Sequence, residues 1–146
     1  MSTIDQTPFG FMTYAESYGR AAFIVEKAMD EARMPWPVPV ATLALHCVEL
    51  SLKGVLVKQG MAPDEVRKFG HDINKLFEAT PLDWSDIDLK NIEFYSDAVL
   101  SQALRYRRKD KPYFVMDLDH LLPFMETVFR RCLKHVSPGA TRGLRP

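Results

Sequence analysis

Several functional classes are excluded by what the sequence does not contain. There are two cysteines, Cys47 and Cys132, far apart and in no Cys-x-x-Cys pairing. That excludes a disulfide framework; both thiols sit in apolar helical patterns and are expected to be buried and free. Charge of one sign is missing too, with 19 Lys plus Arg against 19 Asp plus Glu. No global field therefore draws the chain to nucleic acid or an acidic membrane, and such binding needs a local patch. There is no glycine-rich phosphate loop, no Gly-x-Ser-x-Gly elbow and no zinc-finger spacing, which removes kinases, serine hydrolases and zinc-finger readers as leading readings. The N-terminus has no basic start followed by an apolar run, so no secretory signal is expected. The longest apolar stretch is interrupted by His46, Glu49 and Lys53, which argues against a membrane span and makes a soluble cytoplasmic protein the expectation. No strand pattern, repeat or low-complexity segment stands out.

What is present suits one helical domain. The chain has 146 residues and is 47% hydrophobic, enough for a single core. Tyr14, Tyr18, Ala21, Val25, Ala28 and Ala32 recur at helical spacing, with Thr13 as the expected N-cap. The prolines of Pro35-Trp36-Pro37-Val38-Pro39 force an extended connection. A second helix is expected over Val40 to Gln59, closed by Gly60. Pro63 and two acids open a short helix. Gly70 breaks it, and His71 or Asp72 starts another, to about Ala79. Asp83, Ser85 and Asp86 offer caps for a long helix with the face Ile92, Tyr95, Val99, Ala103 and Tyr106. A last helix is expected from near Asp117, with the seam Leu118, Leu122, Met125, Phe129, Cys132 and Val136; Pro123 is expected to bend it. The expected fold is all-α: an antiparallel bundle of four longer helices plus short ones. Residues 1–12 are expected as a flexible leader, 13–136 as the bundle and 137–146 as a mobile tail.

The chemistry-bearing residues concentrate in two places. His46, Glu49 and Lys53 lie at i, i+3 and i+7 on an otherwise apolar helix, so they share a face. Polar groups there need polar partners, and His71 and Asp72 are the expected suppliers. One reading makes Glu49 a base or a ligand anchor, with His46 and His71 as proton carriers. Another makes His46, Glu49, Lys53, His71 and Asp72 a structural polar network, with Lys53 neutralising Glu49; the core-like neighbours Leu43, Val48, Leu50 and Leu52 favour this one. A metal held by His46, Glu49, His71 and Asp72 is a third reading, which the ammonium of Lys53 opposes, and no metal is expected. The second concentration is Arg105, Arg107, Arg108, Lys109 and Lys111, interleaved with Tyr106 and Tyr113, where cations and aromatic faces suit phosphate and base. The plain alternative is a solvated helix end. Trp36 and Trp84 lie in connectors; packing over helix ends and a place in an interface are both open readings, with packing favoured.

The motifs Leu45-His46-Cys47-Val48-Glu49-Leu50-Ser51-Leu52-Lys53, Gly70-His71-Asp72-Ile73-Asn74-Lys75-Leu76 and Leu104-Arg105-Tyr106 together resemble HEPN domains (higher eukaryotes and prokaryotes nucleotide-binding). The resemblance is to the branch with an H-x-x-E-x-x-x-K helix, a Gly-His-Asp helix start and a later Arg-Tyr element, and it spans about residues 13–136. It implies a helical bundle, often a homodimer. It further implies either a non-catalytic domain that binds a nucleotide, RNA or a separately encoded nucleotidyltransferase-like partner, or a metal-independent ribonuclease of the toxin–antitoxin kind. No cofactor is implied. Arg105, Tyr106, Arg107 and Arg108 become the candidate ligand-binding residues. For the ribonuclease, Arg130 and His135 carry the expected spacing and would flank a phosphate across a dimer cleft. On a straight helix five steps set them about 140° apart, and cations at a helix C-terminus are the alternative explanation. A purely structural interaction module is the remaining expectation.

Overall fold

The computed structural model describes residues 6–34, 37–100 and 116–146. Those residues form six helices in the order α1 (Pro8–Glu31), α2 (Val38–Lys58), α3 (Pro63–Arg67), α4 (Ile73–Ala79), α5 (Leu89–Leu100) and α6 (Leu118–Val136). No strand occurs among them, and the helices pack as a bundle. The all-α expectation is met.

α2 is the centre of the bundle. It packs against α1 and α6, and also against α3 and α4. Its buried residues include Val40, Ala44, Leu45, Val48, Leu52, Val55 and Leu56, which fall all round the helix because neighbours cover most of its circumference. Each fully buried Leu or Val contributes roughly 1.5–3 kcal/mol relative to exposure. Gly54 permits the close approach of α1: a Cβ there would stand 3.1 Å from both Met12 Sδ and Phe11 Cβ. By length and mean hydropathy (1.6) α2 would suffice to cross a membrane, and 67% of that window is buried against the rest of the chain.

Local rules set most boundaries. Thr7 accepts from the Gly10 amide at 3.0 Å and Pro8 fills the first turn of α1, both favourable at a helix start. The leader expected over residues 1–12 is therefore corrected within the described residues: α1 begins at Pro8, Met12 is a core residue, and Thr13 returns its hydroxyl to the Phe9 carbonyl inside the helix. α2 starts at Val38, two residues before Val40. Gly60 follows it with φ of 97°, a left-handed conformation that suits glycine. α5 starts at Leu89, later than Asp83, Ser85 or Asp86 would place it. Asp88 does the capping, its Oδ1 accepting from Lys90 N at 2.9 Å. Asp83 is used within its own turn by Ser85 N, and Asp86 is paired with Arg131. The Ala103 and Tyr106 positions of the expected α5 face lie outside the described residues. Asp117 caps α6 through the Asp119 amide.

The tail also packs on the bundle. Residues 137–146 run back along α1 and α6, and Leu144 is fully buried. Its side chain fills the notch left by Gly19, where a Cβ would stand 2.6 Å from Leu144 Cδ1 and 3.0 Å from Cys47 Sγ. An isolated leucine in a polar, glycine-containing tail shows no periodicity, so the sequence pattern carries no sign that it docks.

Candidate functional site

Helix geometry sorts the three polar residues of α2. Seven steps bring His46 and Lys53 almost into line, and Glu49 is set off by about 60°. Glu49 turns inward and is 4% exposed. Its Oε2 accepts from Lys53 Nζ at 3.0 Å. Its Oε1 lies 2.7 Å from His71 Nδ1, so one buried carboxylate joins α2 to the segment that follows Gly70. Gly70 makes this possible: at φ of 58° it reverses the chain after α3 and delivers His71 to α2. A carboxylate buried to this degree is stable only when paired and hydrogen-bonded, and both of its oxygens have partners.

The other members serve separate purposes. His46 is half-buried and meets Tyr18 edge-on, ring centroids 4.3 Å apart. Burial pushes its imidazole below the usual histidine range, more strongly than the nearby Glu49 raises it, and His71 and Lys53 add to the lowering. Asp72 does not join the Glu49 network. It caps α4, its Oδ1 accepting from Lys75 N at 3.1 Å, and it accepts from Ser96 Oγ at 3.4 Å. Ser96 in turn accepts from Asn74 N at 3.1 Å, which ties α5 to the start of α4. With Asp72 turned away, no group of three or more His, Cys, Asp or Glu residues is arranged to hold a metal among the described residues.

Arg130 and His135 engage different neighbours. Arg130 donates to Glu126 Oε1 at 3.1 Å, one turn back on α6, and lies beneath Gly143 of the tail. His135 pairs with Gln59 at the end of α2. Arg105, Tyr106, Arg107 and Arg108 lie outside the described residues, as do Lys109, Lys111, Tyr113 and Trp36. The two cysteines are buried and free. Burial pushes the Cys47 thiol up to about 12 and raises Cys132 as well, which leaves both thiols protonated and unreactive.

Sequence reasoning did not find two further clusters. Arg131 forks onto Asp86, both bonds at 2.8 Å, and donates to the Asp83 carbonyl at 2.9 Å. It also stacks over Trp84 at 5.0 Å. This bidentate pair holds the Asp86 carboxyl below the usual carboxylate range. Trp84 packs edge-on against Phe77 at 4.9 Å and donates to Thr80 Oγ1 at 2.8 Å. The expectation that Trp84 packs rather than waits for a partner fits these contacts. In the second cluster Tyr95 pairs through its hydroxyl with His120 Nδ1, and burial lifts the phenol to about 12. Neither cluster has a signal in sequence, because its members are separated by tens of residues and share no local spacing.

Searches against protein-family models, curated proteins and solved structures returned no match to this chain.

Proposed function

We propose that this chain is a HEPN-like, non-catalytic helical protein that binds a nucleotide or RNA, acting alone or with a nucleotidyltransferase-like partner. One observation supports the reading most: Glu49 is bonded at once to Lys53 and His71. The H-x-x-E-x-x-x-K helix and the Gly-His-Asp turn, the two motifs with which the resemblance begins, thus meet in a single network. The same geometry weighs against catalysis there. A general base needs a free lone pair within reach of substrate, whereas Glu49 is buried with both oxygens engaged.

The ribonuclease reading would require Arg130 to leave Glu126, and His135 to leave Gln59, so that both could face one phosphate across a dimer cleft. Binding and cleavage assays separate the readings. Wild-type protein is expected to bind nucleotide or RNA without cutting it, and Arg107→Glu with Arg108→Glu is expected to weaken that binding if the basic run supplies the contact. RNA cleavage by wild type that disappears in His135→Ala would replace this proposal with the ribonuclease. Absence of all nucleotide and RNA binding, with no partner on co-purification, would remove the binding reading and leave a structural interaction module.

A further inference from the structure

The end of α6 and the returning tail enclose a surface pocket of about 310 Å³. Arg130 and Lys134, one turn apart on α6, line it together with Arg142 of the tail. Three cations line it and no carboxylate does. The acids that hold the arginines lie deeper. Glu126 receives Arg130 at 3.1 Å and Glu16 receives Arg142 at 3.4 Å. The acid side chains are 16% and 17% exposed, whereas the two arginines are 56% and 62% exposed. Anchored from beneath, both guanidinium groups are oriented before any ligand arrives, which cuts the ordering cost of binding. Lys134 has no carboxylate partner among the described residues and is free to complete the site. The α6 dipole accounts for a lysine in the last turn, but not for an arginine brought in from outside the helix by a tail pinned at Leu144.

The remaining walls are of a different kind. Leu133, Pro138 and Ala140 give an apolar side, and Thr141 adds a hydroxyl. Cationic and apolar lining together suit a ligand that carries a phosphate on a flat apolar body.

We infer that this pocket binds the phosphate of a nucleoside monophosphate, with Arg130, Lys134 and Arg142 on the phosphate and the Leu133–Pro138–Ala140 wall against the ligand's apolar part. The proposal rests on the nucleotide-binding reading for the class of ligand, and moves the phosphate contact from the Arg105–Lys111 run to α6 and the tail. C-terminal carbonyls of α6 carry partial negative charge and Glu126 and Glu16 offset the two arginines, so Lys134 supplies the net positive charge of the rim.

Calorimetric titration of adenosine and guanosine monophosphate, their unphosphorylated nucleosides and inorganic phosphate tests it on wild type, Lys134→Glu, Arg142→Glu and Arg107→Glu/Arg108→Glu. Lys134 and Arg142 are exposed, so the first two variants are expected to fold, with circular dichroism and Tm as the check. Should Arg142→Glu unfold the tail, Lys134→Glu alone decides the question. At least one monophosphate is expected to bind wild type more tightly than its nucleoside or inorganic phosphate, and to weaken about tenfold or more in Lys134→Glu and Arg142→Glu. Monophosphate binding that survives Lys134→Glu overturns the pocket; if the same binding is lost in Arg107→Glu/Arg108→Glu, the nucleotide-binding reading stands without it. Inorganic phosphate binding as tightly as both monophosphates overturns the ligand class. No binding of any of these ligands overturns the proposal; RNA binding measured in parallel then decides the broader reading.

Discussion

Glu49 decides what the polar residues of α2 can be. Its carboxylate is 4% exposed and answers both Lys53 and His71. Removing one member of a buried pair strands the other, which costs more than the pair contributes. Lys53, with its side chain 13% exposed, would be stranded in Glu49→Leu, and the variant is expected to lose about 3 kcal/mol in urea unfolding. The double variant Glu49→Leu/Lys53→Met is expected to regain most of that loss; a double variant as unstable as the single one would show that the pair is not the source. His46 adds a pH dependence of definite sign. Its imidazole is held below 6.5 in the fold, mainly by burial. Above the ordinary histidine range it is neutral in both states. As pH falls through that range the unfolded chain takes up a proton first, so stability decreases toward acid. His46→Gln is expected to flatten this part of the stability–pH profile. Identical profiles would contradict the burial effect.

Elements with strong periodicity or strong caps were legible; elements held by single distant contacts were not. Gly60, Pro63, Gly70, Asp72 and Asp117 each act where their backbone chemistry places them, and they bound α2, α3, α4 and α6. The start of α1 was misplaced because Thr13 and Thr7 are equally good caps by residue type, and only the packing of Met12 against α2 prolongs the helix backward. The α5 start was misplaced because three acids compete before Asp88, and the fork of Arg131, 45 residues away, removes Asp86 from the competition. Leu144 is the clearest case. Nothing around it in sequence indicates burial, yet it fills the space between Gly19 and Cys47. Leu144→Ala is expected to cost about 3 kcal/mol through lost burial and the cavity left behind. A urea midpoint equal to wild type would mean that the tail does not hold its place. Gly19→Ala, whose new methyl would collide with the same side chain, is expected to destabilise as well.

At the scale of the molecule the all-α bundle followed from periodicity, because a helix apolar on most sides must be surrounded and α2 is. Within the candidate site, sequence spacing brought Glu49, Lys53 and His71 together correctly. It misassigned Asp72, whose cap at α4 is as good a use of a carboxylate as a place in the network. It could not relate Arg130 to Arg142, since only the fold of the tail sets them around one pocket. Among the long-range links of the described residues are a polar one from α2 to the Gly70 turn and an apolar plug from the tail into α1 and α2. The polar link joins the two motifs from which the proposed nucleotide binding is argued.

A double-mutant cycle on Glu49 and His71 tests that link most directly, using Glu49→Gln, His71→Ala and the combined variant in urea unfolding at neutral pH. The expected result is a coupling on the order of 1 kcal/mol, modest because His71 is largely exposed although Glu49 is not. Strictly additive losses would contradict the account, since two residues 22 positions apart would then share no bond.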